Sequence, residues 1–367
     1  MSRILATYRV RATPDEIERA AMALALEQSV EVPLEAVRDA FVEDEIVGRV
    51  NGIREIAPGL YDVAVHLAEI TTGGDVAQTI NMLFGNSSLH QHVQLIDADF
   101  SPDLAASFGG PRFGIAGLRD LLGVHDRPLT CAALKPQGLP AERLARLAET
   151  FALGGIDVIK DDHGLADQAY SPFLERVRGC QRAVARVAQE SGRRCIYAPS
   201  LVGTPANLRT FIQIVKDEGV GAVLIAPALV GMPVFHELVR EFLDVPVLAH
   251  PAYAGAARVL PPLLLGKWFR LLGADAVIFP SFGGRFAFAA TLCHEIAQAA
   301  CSPLHGLRSS LPVPAGGIAL ERVPELVRFY GRDSMLLVGG SLLIAGEGLL
   351  ERTRAFTSAV AAEGARL

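Results

Sequence analysis

From residue 129 to about residue 340 the chain repeats one unit: a short apolar run, a polar or glycine stop, then a stretch of helical periodicity. Apolar runs without polar alternation suit strands buried on both faces, and parallel strands need a crossover between them. The runs fall at 129–134, 156–159, 195–199, 222–226, 245–250 and 276–279, followed by runs ending near Ala315 and Val338. This restricts the region to a parallel α/β architecture, and its length suits a (β/α)8 TIM barrel of about 250 residues.

The residues ahead of it read differently. A strand over 3–10 is followed by a helix from Thr13-Pro14-Asp15 to about Gln28, then by strand signals over 46–53, 61–70 and 93–98. That order predicts a small N-terminal α+β domain over 1–105. The Gly- and Pro-rich stretch 106–117 reads as a linker before a helix at 117–122, so the barrel domain is expected over 106–367.

Composition excludes several classes. Half the residues are hydrophobic and 20% are charged, which suits a globular core. The net charge of −6, without a basic block, argues against nucleic acid or an anionic membrane as partner. Five scattered cysteines without CxxC spacing read as reduced thiols. No signal pattern opens the chain and no apolar run approaches about 18 residues, so a cytoplasmic protein is expected.

Chemistry concentrates at the ends of the runs. Residues 154–164, Gly-Gly-Ile-Asp-Val-Ile-Lys-Asp-Asp-His-Gly, pass abruptly from apolar residues to Lys160, Asp161, Asp162 and His163. At the C-terminal end of a barrel strand such residues face the usual place of reaction. Asp162 and His163 offer oxygen and nitrogen to a divalent cation, and Lys160 shares a strand side with Asp162. A buried lysine can act as a base or form a carbamate; the same cluster could also serve only for salt bridges. Lys135 ends the first run before Pro136, and His250 ends the fifth. Gly316-Gly317 and Gly339-Gly340 follow the last two runs, where backbone N–H groups can approach phosphate oxygens. No Walker or Gly-x-Gly-x-x-Gly signature occurs.

The 154–164 segment resembles Gly-Gly-x-Asp-x-x-Lys-Asp-Asp-Glu of the ribulose bisphosphate carboxylase (RuBisCO) superfamily, whose lysine is carbamylated and binds Mg²⁺ with the second Asp and the Glu. The resemblance implies Lys160 (as a carbamate), Asp162 and His163 as metal ligands, with an imidazole replacing a carboxylate. Lys135-Pro136-Gln137 resembles the family's Lys-Pro-Lys and makes Lys135 the general base or proton shuttle. Leu67–Gly74 resembles Ala-Glu-Ser-Ser-Thr-Gly-Thr: Glu69 would reach the neighbouring subunit's active site in a homodimer, and Thr72 and Gly73 would meet phosphate. Asn81, in Asn-x-x-Phe-Gly, stands at a substrate contact, and His250 at a catalytic histidine beside metal and substrate. Arg285 ends Pro-Ser-x-Gly-Gly-Arg, similar to the short loop of non-carboxylating RuBisCO-like proteins, where it would meet phosphate or a substrate oxygen. Gly316, Gly317, Gly339 and Gly340 match the family's phosphate-binding glycines.

Departures narrow the implied activity. Pro251 stands where the family's second-phosphate arginine would be, and no lysine follows Lys267, which disfavours CO₂ fixation. The resemblance therefore implies Mg²⁺-dependent enolisation of a phosphorylated ketose, foremost isomerisation of 5-methylthioribulose 1-phosphate in methionine salvage. The alternatives are a decarboxylase or C–C hydrolase of 3-oxo-isoapionate 4-phosphate in apiose catabolism, a diketo-methylthiopentyl-phosphate enolase, and a non-catalytic phosphosugar-binding protein.

Overall fold

Alternation decides the first sheet. In β1 (Arg3–Arg11) the side chains of Ile4, Ala6, Tyr8 and Val10 are buried and those between them are not. The computed structural model, which describes residues 1–367, pairs β1 antiparallel with β3 (Leu60–Ala68) and with β4 (Val93–Asp99). β2 (Arg49–Ala57) adds an edge, giving the order β2-β3-β1-β4. Helix α1 (Ile17–Glu27) and helix α2 (Val76–Phe84) are tied into this unit by polar contacts as well as apolar ones. The Tyr8 hydroxyl donates to the Leu83 carbonyl at 2.7 Å, and Gln28 donates to Met82 at 2.8 Å. The chain divides into two compact units, one of Met1–Gly109 with Gly255–Leu264 and Leu304–Leu307, the other of the remaining residues.

The stretch expected as a linker is largely helical. Helix α3 (Pro102–Phe108) enters it, capped by Ser101, whose hydroxyl accepts from the Leu104 N–H at 3.1 Å, and Gly109 ends it at φ 83°. Helix α4 (Gly114–Leu122) starts three residues earlier than its sequence signal. The Asp275 carboxylate anchors that start, accepting from the N–H groups of Phe113 and Gly114 at 2.7 and 2.8 Å. A distant residue supplies what the local sequence lacks.

In the second unit the strands are β5 (Leu129–Leu134), β6 (Val158–Asp161), β7 (Ile196–Ala198), β8 (Ser200–Leu201), β9 (Val223–Ile225), β10 (Val247–Ala249), β11 (Ala276–Pro280), β12 (Leu311–Ala315) and β13 (Met335–Val338). They form one parallel sheet in the order β7-β6-β5-β13-β12-β11-β10-β9-β8. The third strand, expected to end at Pro199, continues past it: β7 lies within the expected run and β8 beyond it, the two split at Pro199, which has no N–H for the ladder. β7 pairs with β6 and β8 with β9, so the ring closes across the break. This is the TIM barrel.

Its interior is filled by alternate residues: Cys131 and Ala133, Val158, Ile196 and Ala198, Leu224, Leu248, Ala276 and Ile278, Leu311 and Val313, Met335 and Leu337. Burying each Leu, Ile or Val there is worth about 1.5–3 kcal/mol. The crossover α5 (Ala141–Leu153) buries Leu144, Ala148 and Phe151 on one face and ends at Gly154-Gly155, the latter at φ 85°. Helix α6 (Phe173–Ser191) follows β6 and buries Phe173, Arg176, Val177 and Cys180. All five cysteines are free thiols. No helix is long and apolar enough to cross a membrane.

Candidate active site

Period-two geometry sends Lys160 and Asp162 to one side of β6 and Asp161 to the other. The structure uses the three residues differently. Asp161 is fully buried and hydrogen-bonded to Arg176, Tyr197 and Ser200. Lys160, 2% exposed, donates from Nζ to the Asp161 carbonyl at 3.0 Å. Burial lowers its pKa, aided by the nearby Lys135 charge and opposed by Cys131, Asp162 and Asp161. The shift is toward the neutral amine, the form that can take a proton or react with CO₂.

Asp162 carries the site's only partly satisfied buried carboxylate. Oδ1 accepts from the Gly164 N–H at 3.1 Å and from Gln137 Nε2 at 3.3 Å. Oδ2 makes no hydrogen bond, although the Lys135 ammonium lies against it as an ion pair. Burial alone would raise the Asp162 pKa; the Lys135 contact, the Gly164 N–H and the Lys160 charge outweigh it and hold the carboxyl well below its ordinary range. Gly164 leaves room for Gln137 at this position: a β-carbon would fall 1.6 Å from Gln137 Nε2 and push that side chain off Asp162.

His163 and His250 stack with ring centroids 4.2 Å apart and planes 13° from parallel. Nδ1 of His250 accepts from the Ala252 N–H at 3.1 Å. Burial, then the charge of Lys160 and the neighbouring His163, push the His250 pKa down to about 2. Burial also lowers His163, with Asp162 opposing and Lys160, Lys135 and Arg285 reinforcing. Both shifts favour the neutral ring; in His250 the Nδ1 lone pair is taken by the Ala252 N–H, so Nε2 carries the hydrogen and can donate it.

Beyond β11 and β12 the rim is built from backbone. Gly316 and Gly317 have φ of 79° and 73°. A β-carbon on Gly317 would come 2.5 Å from Gly284 Cα, and one on Gly284 would come 2.5 Å from the Gly316 carbonyl oxygen. Only glycine permits this approach of the two loops. Arg322 donates to the Phe282 carbonyl at 3.0 Å, and Ser341 to the Ile318 carbonyl at 2.6 Å, which fixes neighbouring loops together. Gly339 faces Lys135, whose Cδ would lie 3.9 Å from an added β-carbon. Gly340 opens a single helical turn, Gly340–Leu343. Arg285 is exposed, with its guanidinium 4.8 Å from the Phe286 ring centroid.

Lys135, Lys160, Asp162, His163 and His250 are thus gathered at the C-terminal ends of β5, β6 and β10, with Gly339 beside Lys135. The other four expected residues belong to the first unit and are described there. Glu69 opens the turn Glu69–Thr72 and has a buried Oε2 without a hydrogen bond. Thr72 is buried and accepts from the Gly74 N–H at 3.1 Å, and Gly73 is left-handed at φ 59°. Asn81 is exposed on α2, donating to Gln78 at 3.3 Å. Sequence reasoning missed Arg176, Tyr197 and Arg322, and took Gln137 only as a lost charge. None of them carries a local signal, since each acts on a residue far along the chain or on another strand.

A divalent cation can be tested against these donors. No three His, Cys, Asp or Glu side chains converge on one point. Asp162 and His163 make a three-donor site only with Lys160, and a charged ammonium there would repel a dication. With Lys160 neutral or carbamylated and the partly exposed Lys135 turned away, Asp162 Oδ2, a neutral imidazole and Lys160 fit a cation that accepts oxygen and nitrogen.

Residues 114–359 match the family model of the ribulose bisphosphate carboxylase large chain, catalytic domain. The chain is 51% identical over 365 residues to a Rhodospirillum rubrum protein named 5-methylthioribulose-1-phosphate isomerase, covering 99% of this chain and 98% of that one. It is 33% identical over 383 residues to the 2,3-diketo-5-methylthiopentyl-1-phosphate enolase of Geobacillus thermodenitrificans, covering 98% and 92%. The solved structure of a Rubisco-like protein from Rhodopseudomonas palustris superposes with a TM-score of 0.92 at 48% identity, covering 98% of each chain.

Proposed function

We propose, for a chain that belongs to the ribulose bisphosphate carboxylase large-chain family and stands among its RuBisCO-like members, that it isomerises 5-methylthioribulose 1-phosphate by proton transfer and fixes no CO₂. One observation carries the reading. Of 34 basic residues only four are lysines, and two of those four, Lys135 and Lys160, flank Asp162 at adjacent strand ends. Arginine holds its proton at any working pH, whereas lysine can release one. A chain that otherwise uses arginine keeps lysine where a proton has to move.

In this reading Lys135, having first released its ammonium proton, takes a proton as the free amine from the carbon beside the substrate carbonyl and returns one elsewhere on the enolate, with no net redox change. Lys160, Asp162 and His163 would hold Mg²⁺, which supplies Lewis-acid stabilisation of the enolate oxygen. The N–H groups around Gly316-Gly317 and Gly339-Gly340 receive the single phosphate, with Arg285 as an outer cation. His250, held neutral against His163, hydrogen-bonds a substrate hydroxyl. The missing lysine after β11 and the proline at 251 suit a substrate with one phosphate and no CO₂ to steady. Glu69, whose Oε2 lacks a partner in the single chain, would complete the site of a second copy in a homodimer, with Thr72, Gly73 and Asn81 beside it.

Proton NMR of the protein with Mg²⁺ and 5-methylthioribulose 1-phosphate in D₂O tests this. Signals of a methylthio-pentulose 5-phosphate, carrying deuterium, are expected. Deuterium in unchanged substrate would leave enolisation standing but remove this isomerase. No exchange and no product would overturn both. Electron density with no extra atoms on Lys160 Nζ, together with activity indifferent to CO₂, would eliminate the carbamate in favour of the neutral amine. Sedimentation of a fully active monomer would exclude the shared site.

A further inference from the structure

Between Lys160 and Asp162, at the end of β6, stands Asp161, turned to the opposite side and wholly buried. Its carboxylate accepts from Arg176 Nε at 3.0 Å, from the Tyr197 hydroxyl at 2.7 Å and from the Ser200 N–H at 3.1 Å. Ser200 follows Pro199, so Asp161 spans the place where the third strand is broken and β6 loses its ladder partner. Arg176, on α6 and also wholly buried, has two further bonds, from Nη1 to the Ser171 carbonyl at 2.7 Å and from Nη2 to the Ala166 carbonyl at 2.6 Å. Those carbonyls belong to the loop that Asp162 and His163 begin. The loop is closed on itself as well, by Gln168 Nε2 donating to the Gly164 carbonyl at 2.7 Å and the Ala166 N–H donating to Gln168 Oε1 at 2.8 Å.

One guanidinium therefore grips the strand, through Asp161, and the loop at two points. The side-chain polar atoms of Arg176, Asp161 and Tyr197 all have hydrogen-bond partners, whereas Asp162 one residue away shares an oxygen with the partly exposed Lys135. A buried pair of this kind adds little net stability over apolar residues of the same size, but it admits a single geometry. The residues it fixes are the ones whose placement the reaction depends on.

We propose that Arg176, Asp161 and Tyr197 are positioning residues for the enolisation: they set the place of Asp162 and His163 relative to Lys135 while touching no substrate. The inference rests on the reaction proposed above for its kinetic readout. Phosphate recognition by the glycine loops lies on other strands and is left alone, so the signature is a loss in kcat without a rise in KM.

The test compares Arg176→Lys and the milder Tyr197→Phe with the unaltered protein, by turnover of 5-methylthioribulose 1-phosphate and by amide hydrogen exchange. Misplacing reacting groups by about 1 Å costs roughly a hundredfold. Arg176→Lys is expected to lose about that much kcat with KM within about twofold, and Tyr197→Phe about threefold to tenfold. Exchange should quicken in 162–171 while the other strands keep their protection. Unchanged kcat in both variants would overturn the inference, and so would a proportional fall of kcat, KM fit and barrel protection together, which marks simple loosening of the fold. If the unaltered protein does not turn over this substrate, the functional reading fails by itself. The exchange data then decide: quickening confined to 162–171 supports positioning, and no local change refutes it.

Discussion

The two ends of β6 carry the same residue type to opposite ends of its chemistry. At the N-terminal end Asp157 accepts from both Nη groups of Arg127 at 2.7 and 2.8 Å, and from the Thr130 N–H and hydroxyl at 2.8 Å each. Asp275, just ahead of β11, is likewise saturated by the N–H groups of Phe113, Gly114 and Val247. At the C-terminal end Asp162 has two longer contacts on one oxygen, and the other is held only by the ion pair with the partly exposed Lys135. A carboxylate with hydrogen bonds on both oxygens is spent on the fold. One held by a lysine that can return to water is available to a cation or substrate, and Asp162 stands at the end of the barrel where reactions are usual.

If that division is correct, Asp162→Asn should abolish most activity and leave the fold intact. A loss of about a thousandfold in deuterium exchange is expected, with a melting temperature unchanged or higher, because Lys135 is partly exposed and can return to water. Lys135→Met should fall in the range of about a hundredfold to ten-thousandfold. Melting curves and exchange rates on the same samples would break the comparison if Asp162→Asn unfolded the chain.

Asp157→Asn should do the reverse. It leaves the mostly buried Arg127 guanidinium without its charge partner, and breaking such a pair costs about 3 kcal/mol or more. Urea denaturation should show the loss, while kcat measured well below the melting point stays within about twofold of the starting protein. A selective loss of kcat would mean that the lower end is not merely structural.

Gly317→Ala probes the backbone-built part of the rim. The residue needs φ 73°, and its new β-carbon would meet Gly284 Cα at 2.5 Å, so the two loops must part. With one charge-assisted hydrogen bond to phosphate weakened, KM should rise about tenfold with kcat little altered. Equal effects on kcat and stability would show that the glycine pair serves packing alone.

Most of the architecture was legible because its signals are local. Apolar runs with polar stops give the strands, and the crossover before Lys160 has the length a parallel pair needs. Lys135, Lys160, Asp162 and His250 were legible for the same reason, each standing where a run ends. The sequence reads Asp161-Asp162 as two equal acids; only alternation separates them, and Arg176, which consumes the first, lies 15 residues on. The break at Pro199 was visible as a proline, but its repair by Asp161 was not. Helix α4 begins early because of Asp275, and loop contacts such as Gly284 on Gly317 depend on strands meeting around a ring. These are tertiary facts, and no short window contains them.

Cys131 offers the smallest effect and the sharpest view of the division, because it sits inside the barrel between the two ends. Burial drives its thiol up to about 12; Asp157 below reinforces this and Lys160 above opposes it. An unfolded thiol titrates near 8.5. Between that value and about 12 the folded chain binds more protons than the unfolded one, so stability is complete below the window and falls as pH rises through it. Each such thiol contributes a slope of at most about 1.4 kcal/mol per pH unit. Native Cys131 should therefore resist alkylation at pH 8 and react only through opening of the barrel. Alkylation followed by mass spectrometry should then be faster in Asp157→Asn and unchanged in Asp162→Asn. Equal rates in the two variants would mean that the carboxylates at the two ends hold the barrel alike, and that hydrogen-bond saturation does not separate fold from function here.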